Sequence, residues 1–296
     1  MKNLIICLII LSFMACKHET SLQKTSTPKD VEIEHNTDQK IKDSVLPLSG
    51  EAIALDHEKT KALKRDKLIK AKDDRAKLQE LVISKHFLKK EDLYILDYQY
   101  PYLNEEIDPS YAVFNNFITE NYLNIEKTEN QILEDKELLC DTLKINRFRD
   151  KRSIDYKIYT VKSNFISVVL YKENYYSGMR YSTYLFDCIN FDLEKYDFVY
   201  FNDFFTKGSE DAVFVIINNI IKESIASGEL YYDCWELSKG DFNAYKNNFV
   251  MNDDVLEYYF DDCVICPSYT GTYSIEIPIT AIMHLIKKYN APPKIG

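Results

Sequence analysis

Ser153-Ile154-Asp155-Tyr156-Lys157-Ile158-Tyr159-Thr160-Val161, then Lys162-Ser163-Asn164, then Phe165-Ile166-Ser167-Val168-Val169-Leu170-Tyr171 is the stretch that decides the fold. Two runs rich in β-branched and aromatic residues flank three turn-formers, the pattern of a β-hairpin. A second pair follows at Tyr181–Phe191 and Phe198–Phe201, around Asp192-Leu193-Glu194-Lys195. Upstream, Tyr94-Ile95-Leu96-Asp97-Tyr98-Gln99-Tyr100 is a strand that stops at Pro101, and downstream Val255–Phe260 and Tyr273–Ile277 are late strands.

Helices are fewer. Asp108-Pro109 supplies an N-cap with Pro at the first helical position. Tyr111, Phe114, Phe117, Ile118 and Tyr122 follow at helical spacing and predict an amphipathic helix over 109–124. Ser209 is expected to cap another, with Val213, Ile216, Ile217, Ile220 and Ile221 on its core face and Gly228 at its stop. A closing helix is predicted over Ile279–Lys288, after Pro278. Clustered strands without regular βαβ alternation give an α+β fold: an antiparallel β-sheet packed with two or three helices, preceded by a polar tether and a charged helix.

Composition excludes several classes of function. The chain has 296 residues, with 46% apolar and 28% charged, which argues against whole-chain disorder and against a polytopic membrane protein. Forty-seven acidic against 37 basic side chains give a net charge of −10, which disfavours nucleic acid as a partner. The 23 Tyr and 16 Phe beside 7 Gly favour a sheet-rich body.

The N-terminus sets the compartment. Met1-Lys2-Asn3 is a short basic start, and Leu4–Met14 is an eleven-residue apolar run. That is the length of a signal-peptide core and about half a membrane span. The run closes in Phe13-Met14-Ala15-Cys16, which resembles a bacterial lipobox. The resemblance implies a leader over 1–15, with Cys16 as the lipidated mature N-terminus carrying palmitate-type acyl chains. The mature protein is then held on a membrane of the bacterial cell envelope, facing the periplasm or the cell surface. Lys17–Gly50 is too polar to fold alone and reads, with Cys16, as a flexible tether over 16–50.

Residues 51–86 lack Gly and Pro, are dense in Ala, Leu, Lys, Asp and Glu, and read as a charged helical stalk. Leu55, Ala62, Ile69, Ala76 and Ile83 recur every seven residues, but the second seam position is charged, so a solvated helix is preferred to a coiled coil. The body then divides at 87–165 and 166–296.

Four stretches of the body resemble the paired extracytoplasmic domains of RsiV-type anti-sigma factors and PdaC-type peptidoglycan deacetylases. They are Tyr100-Pro101-Tyr102-Leu103 with the helix containing Asn115-Asn116; Ser167–Tyr171 through Tyr176-Ser177-Gly178; Asn190-Phe191-Asp192-Leu193 with Asn202-Asp203-Phe204-Phe205; and Leu256–Phe260 through Pro267, Gly271 and Ile277-Pro278. The family's "G-G-A-H" stands here as Gly178-Met179-Arg180-Tyr181, and its "P-Y-A-A-G" as Pro267-Ser268-Tyr269-Thr270-Gly271. Scaffold residues match while loop residues differ, so the resemblance implies the fold more firmly than the ligand. It also implies lysozyme binding as a family property. With no membrane-spanning segment, and only eight residues after 288, neither a sigma-factor-binding segment nor a deacetylase domain is expected.

Candidate ligand-binding residues are Tyr175, Tyr176, Gly178 and Tyr181 in one loop and Tyr269, Gly271 and Tyr273 in another. Tyrosine offers large contact area at small entropic cost. The alternative, that Tyr175, Tyr176, Tyr269 and Tyr273 fill the core beneath the loops, stays open. No catalytic residue, metal ligand set or cofactor is expected. His18, His35 and His57 lie in tether and stalk and His86 and His284 near the ends of the body, so a His-based relay lacks its base. Asp187, Asp192, Asp203, Asp261 and Asp262 read as surface or turn carboxylates.

Cys263-Val264-Ile265-Cys266 reads as structural disulfide or buried thiols, with redox or metal roles behind; after loss of Cys7 and lipidation of Cys16, Cys140, Cys188, Cys234, Cys263 and Cys266 remain, with no pairing assigned. Three functions are carried: capture of a basic lysozyme-like muramidase or a peptidoglycan-related ligand, a scaffold lipoprotein, and an envelope hydrolase. The first ranks highest.

Overall fold

A computed structural model of the chain describes residues 63–69, 80–138, 149–160, 165–177 and 179–290. The leader, Cys16, the tether, most of the stalk, Cys140 and Gly178 lie outside the described residues.

A six-stranded sheet runs in sequence order: β1 (Val82–Lys90), β2 (Tyr94–Leu103), β3 (Asp150–Thr160), β4 (Phe165–Tyr175), β5 (Thr183–Asp192) and β6 (Asp197–Phe198). The hairpin anticipated from the sequence is its centre, with β3 and β4 paired antiparallel from Lys151↔Tyr175 to Thr160↔Ile166. One pair departs from the antiparallel pattern. β2 and β3 run parallel, because the chain crosses back through α1 (Ala112–Tyr122) and α2 (Ile125–Leu138) between them.

Strand alternation distributes the core to both faces of this sheet. Ile166, Val168 and Leu170 of β4 join Leu96, Tyr98, Ile154 and Ile158 under Phe114 and Ile118 of α1 and Ile132 of α2. The neighbouring residues Val169 and Tyr171 face the other way, with Tyr159 and Phe186. There they meet Val250 and Tyr259 of a second, three-stranded antiparallel sheet formed by β7 (Phe249–Met251), β8 (Val255–Tyr259) and β9 (Ser274–Pro278). The outer face of the small sheet, with Leu256, Tyr258, Ile275 and Ile277, is covered by Val213, Ile217 and Ile221 of α3 (Glu210–Ser227). A short helix, α4 (Lys239–Tyr245), adds Phe242 to that cluster.

Asparagines lock the joints between elements. Asn248 accepts from the Cys188 amide at 2.7 Å and donates to the carbonyls of Phe186 and Tyr259 at 2.8 and 2.9 Å, pinning β5 to the end of β8. Asn190 donates to the Phe249 carbonyl at 2.8 Å and accepts from Ser167 Oγ at 2.5 Å. Asn115 holds both backbone groups of Leu103, at 2.8 and 2.9 Å. Each satisfies backbone groups that would otherwise be buried unpaired.

Four expectations are corrected. The helical stalk was expected to reach 86, but Val82–Lys90 is an edge strand, and the described helical turn covers only 63–68. The division between 165 and 166 falls at the hairpin, so one sheet runs through both halves of the body. Ser209 precedes α3 but makes no side-chain cap, its Oγ being buried without a hydrogen-bond partner among the described residues. The closing helix breaks into turns at Ile279–Ile282, Met283–Leu285 and Lys287–Asn290, because Ile286 goes extended to bridge Phe205 while the Leu285 carbonyl accepts from Thr206 N at 2.8 Å.

Candidate functional site

α3 stops at Gly228, whose φ of 80° is the left-handed conformation that ends helices. The chain then returns along the small sheet through 229–237 and is fastened at three places. Asn218 of α3 accepts from the Leu237 amide at 2.7 Å and donates to its carbonyl at 3.1 Å. Cys234 is disulfide-bonded to Cys266. Trp235 donates through its backbone N to the Ile265 carbonyl and through Nε1 to the Val264 carbonyl, both at 2.9 Å.

A segment so fixed projects three aromatic side chains into solvent, and Tyr269 joins them from the turn at Ser268–Thr270. Tyr231 is 54% exposed, Tyr232 83%, Trp235 42% and Tyr269 68%. Tyr269 meets Tyr231 edge-on, with ring centroids 6.4 Å apart, and its hydroxyl donates to Asp233. That hydrogen bond is the chief reason the Tyr269 phenol is pushed up to about 12. Glu229 and Glu236 are exposed on the same segment, Glu236 pairing with Lys222 at 3.0 Å. The result is an aromatic ledge with an acidic rim. Single exposed apolar side chains are ordinary, so it is the grouping of these large aromatics on a fastened segment that makes the ledge a candidate site.

The residues anticipated from the sequence separate into three groups. Tyr269 stands on this ledge, and Tyr181, 69% exposed, stands on the β4–β5 loop beside Arg180 and the exposed Met179. Tyr175 and Tyr176 are half-buried, with Tyr176 under the Arg152 guanidinium, 4.1 Å from the ring centroid. Tyr176 edges a cleft of about 340 Å³ that also involves Tyr98, Tyr122, Lys172 and Asn174. The charges there are engaged: Arg152 bonds the Tyr175 carbonyl at 3.0 Å and Asp150 at 3.3 Å, and Lys172 pairs with Asp187.

Tyr273 is a correction. It is buried, 5.0 Å from Phe186 and 5.6 Å from Tyr184 between ring centroids, and serves the core between the sheets. Gly271, at φ 67°, ends the turn at Ser268–Thr270 with open space around it, a backbone role. The roots of the two loops do meet, since Asp262 N donates to the Tyr184 carbonyl at 3.0 Å and Tyr273 packs on the same Tyr184.

Tyr231, Tyr232 and Trp235 were not singled out from the sequence. The signal was there: Tyr231-Tyr232-Asp233-Cys234-Trp235 puts three aromatics within five residues, directly after a helix stop and around a cysteine.

The other chemistry-bearing groups are occupied in architecture. Asp261 accepts from Phe186 N at 2.8 Å and Tyr245 OH at 2.9 Å, while burial raises its pKa above the ordinary value. Asp192 holds its turn through Glu194 N and Lys195 N at 3.0 and 2.9 Å, and Asp203 accepts from Tyr200 N at 3.1 Å. Cys188 is a free thiol that burial pushes well up, and Cys263 is free and exposed, with Sγ 3.1 Å from Ser268 Oγ. Among the described residues no group of three His, Cys, Asp or Glu converges as a metal ligand set, and no helix is long and apolar enough to cross a membrane.

By sequence the chain matches no protein-family model. No curated protein is similar to it. By structure it is similar to a member of the DUF3298 family from Bacteroides fragilis, at a TM-score of 0.50 and 15% identity, over 69% of this chain and 92% of that one. A DUF3298 family protein from Pseudomonas aeruginosa gives a TM-score of 0.48 at 15% identity, over 72% of this chain and 96% of that one. At such identity the likeness to the Bacteroides protein shows the fold alone. RsiV- and PdaC-type domains contain the DUF3298 unit, so at the level of fold it agrees with the resemblance in the motifs.

Proposed function

We propose that this protein is a lipid-anchored binding protein of the bacterial cell envelope, tethered through Cys16, whose body captures a basic macromolecule without transforming it. The ledge of Tyr231, Tyr232, Trp235 and Tyr269 carries this reading, because four large side chains fixed by a disulfide and Asn218 give contact area with little ordering cost. The acidic rim and the net charge of −10 favour a basic partner and speed its approach. A lysozyme-like muramidase meets that description and is the partner the motif resemblance implies, with a peptidoglycan-related ligand as the other class.

The test is binding of the purified mature chain to lysozyme and to soluble peptidoglycan fragments, measured at two salt concentrations. Saturable lysozyme binding that weakens with salt and falls at least about tenfold in Tyr232→Ala/Tyr269→Ala is the expected result. No binding of either ligand at low salt overturns the reading. Loss of palmitate labelling in Cys16→Ala tests the anchor.

A further inference from the structure

The small sheet covers only part of the large sheet's second face. On β3, Asp155, Lys157 and Tyr159 project to that face, and Tyr159 alone of them belongs to the apolar cluster shared with the small sheet. Beside them lie Tyr171 and Glu173 of β4 and Tyr184 of β5. Asp155 and Lys157 are almost wholly buried, at 2% and 4% exposure. Charged groups on a sheet face are costly to bury unless partners are supplied.

Tyr156 N donates to Asp155 Oδ1 at 2.8 Å within the strand, and a segment from outside the sheet supplies further partners to both residues. Residues 63–68 form a single helical turn, with Ile69 N bonded to the Arg65 carbonyl at 2.8 Å. Lys157 Nζ donates to the Ile69 carbonyl at 2.7 Å and stands 3.6 Å from Asp66, an ammonium at the C-terminal end of the turn. Asp155 accepts from Arg65 Nη1 at 3.4 Å. Lys64 pairs with Glu173 and lies 5.1 Å from the centre of the Tyr184 ring. Ile69 is fully buried in the cluster containing Tyr159 and Tyr171, with Leu68 packed against it. Each element of the segment Lys64-Arg65-Asp66-Lys67-Leu68-Ile69 that touches the strip meets a matching group.

We propose that the strip formed by Asp155, Lys157, Tyr171, Glu173 and Tyr184 is a peptide-binding site for one turn of helix bearing two basic residues and then two aliphatic ones, and that residues 64–69 of this chain are its resting occupant. The site is separate from the aromatic ledge and independent of what the ledge binds. A contact of this size, with one fully buried aliphatic side chain, a partly exposed Lys64–Glu173 pair and buried charges whose desolvation offsets much of their attraction, is weak between separate molecules and is held by covalent linkage. A segment of like chemistry on another molecule therefore competes with it only when its local concentration is high or the resident segment is weakened.

The experiment uses the full chain and a fluorescein-labelled peptide of residues 63–69. A variant with Lys64→Glu and Ile69→Asp in its own segment is expected to bind the peptide saturably, at least about tenfold more tightly than the unaltered chain, whose site is filled. Adding Glu173→Lys to that variant is expected to abolish binding, and a peptide with Glu in place of Lys64 to restore it. Folding of each variant is checked by circular dichroism and melting. A folded variant that fails to bind, equal affinity in variant and parent, or indifference to Glu173→Lys overturns the proposal. Unfolding of the variant also overturns it, since the segment would then be part of the core and not a displaceable occupant.

Discussion

Tyr159 of the large sheet donates its hydroxyl hydrogen to Glu257 Oε2 of the small sheet, 2.6 Å away, and is 2.8 Å from the Tyr259 hydroxyl. Glu257 is fully buried in the seam. Burial drives its pKa above the ordinary 4.5, against the lowering pull of hydrogen bonds such as that from Tyr159. The seam between the sheets therefore holds a carboxyl that favours its proton.

The sign of the consequence follows from linkage. The folded state binds this proton more tightly than the unfolded chain, so the stabilisation is complete below about pH 4.5 and is lost as pH rises through the higher folded value. Glu257→Gln removes the charge at every pH. It is expected to match the parent near pH 4 and to exceed it at pH 8, by on the order of 1–3 kcal/mol. Chemical denaturation at the two pH values checks this, and a variant less stable than the parent at pH 8 would show the carboxylate to be favourably held.

The disulfide makes a separate prediction. Cys234 and Cys266 are 32 residues apart in sequence, and closing a loop of that length stabilises by about 3–4 kcal/mol in the chain-entropy description. Cys234→Ser/Cys266→Ser should lose about that much. Peptide mapping without reduction should recover Cys234 linked to Cys266. Cys263, which is exposed, should alkylate readily in the native protein, and Cys188, which is only partly exposed and whose thiol is pushed well up by its surroundings, should react much more slowly until the chain unfolds. Recovery of a Cys263–Cys266 peptide would contradict the arrangement.

How much of this was readable in advance depends on how local its cause is. The β3–β4 hairpin, the Asp108 cap with Pro109 and the Gly228 stop each rest on a few adjacent residues, and each is present. Asp108 Oδ1 accepts from Ser110 N at 2.9 Å, as the cap requires. β1 was missed because an edge strand with Lys85, Lys89 and Lys90 has the composition of a solvated helix; those lysines guard the open edge against pairing. The parallel β2–β3 pair depends on where α1 and α2 carry the chain, which no local pattern states. Tyr269 and Tyr273 occupy one short stretch and have opposite fates, because Tyr273 adjoins β9 and turns toward Phe186 while Tyr269 lies on the outer turn.

The Lys64–Glu173 contact should respond to acid. Glu173 is surrounded by Lys64, Tyr171, Ser182 and Tyr184; burial alone would raise its pKa, but the hydrogen bonds from Lys64 and Ser182 outweigh it and the net shift is downward. Its stabilising contribution is thus complete above about pH 4.5 and is lost as pH falls through the lower folded value. The Ile69 amide, bonded to the Arg65 carbonyl, is a reporter. Its resonance should move toward a random-coil position in that acid range, and Lys64→Met should remove the transition. An Ile69 resonance constant down to pH 3 in the parent would refute the linkage.

Asn218 offers the sharpest separation of ledge from fold. Its side chain is the bridge between α3 and Leu237, at the end of the segment bearing Tyr231, Tyr232 and Trp235. Asn218→Ala leaves the Leu237 amide and carbonyl without those partners in a buried setting, a cost of about 2–4 kcal/mol. Tyr232→Ala, by contrast, truncates a side chain that is 83% exposed and should change stability by less than about 0.5 kcal/mol. If the ledge is the contact surface, both variants weaken partner binding, but for different reasons. Tyr232→Ala removes contact area and should act chiefly on the dissociation rate. Asn218→Ala loosens the segment, so a larger ordering cost on binding should appear as a less favourable entropy. Calorimetry and stopped-flow kinetics on the two variants distinguish these signatures, and unchanged affinity in both would place the contact surface elsewhere on the body.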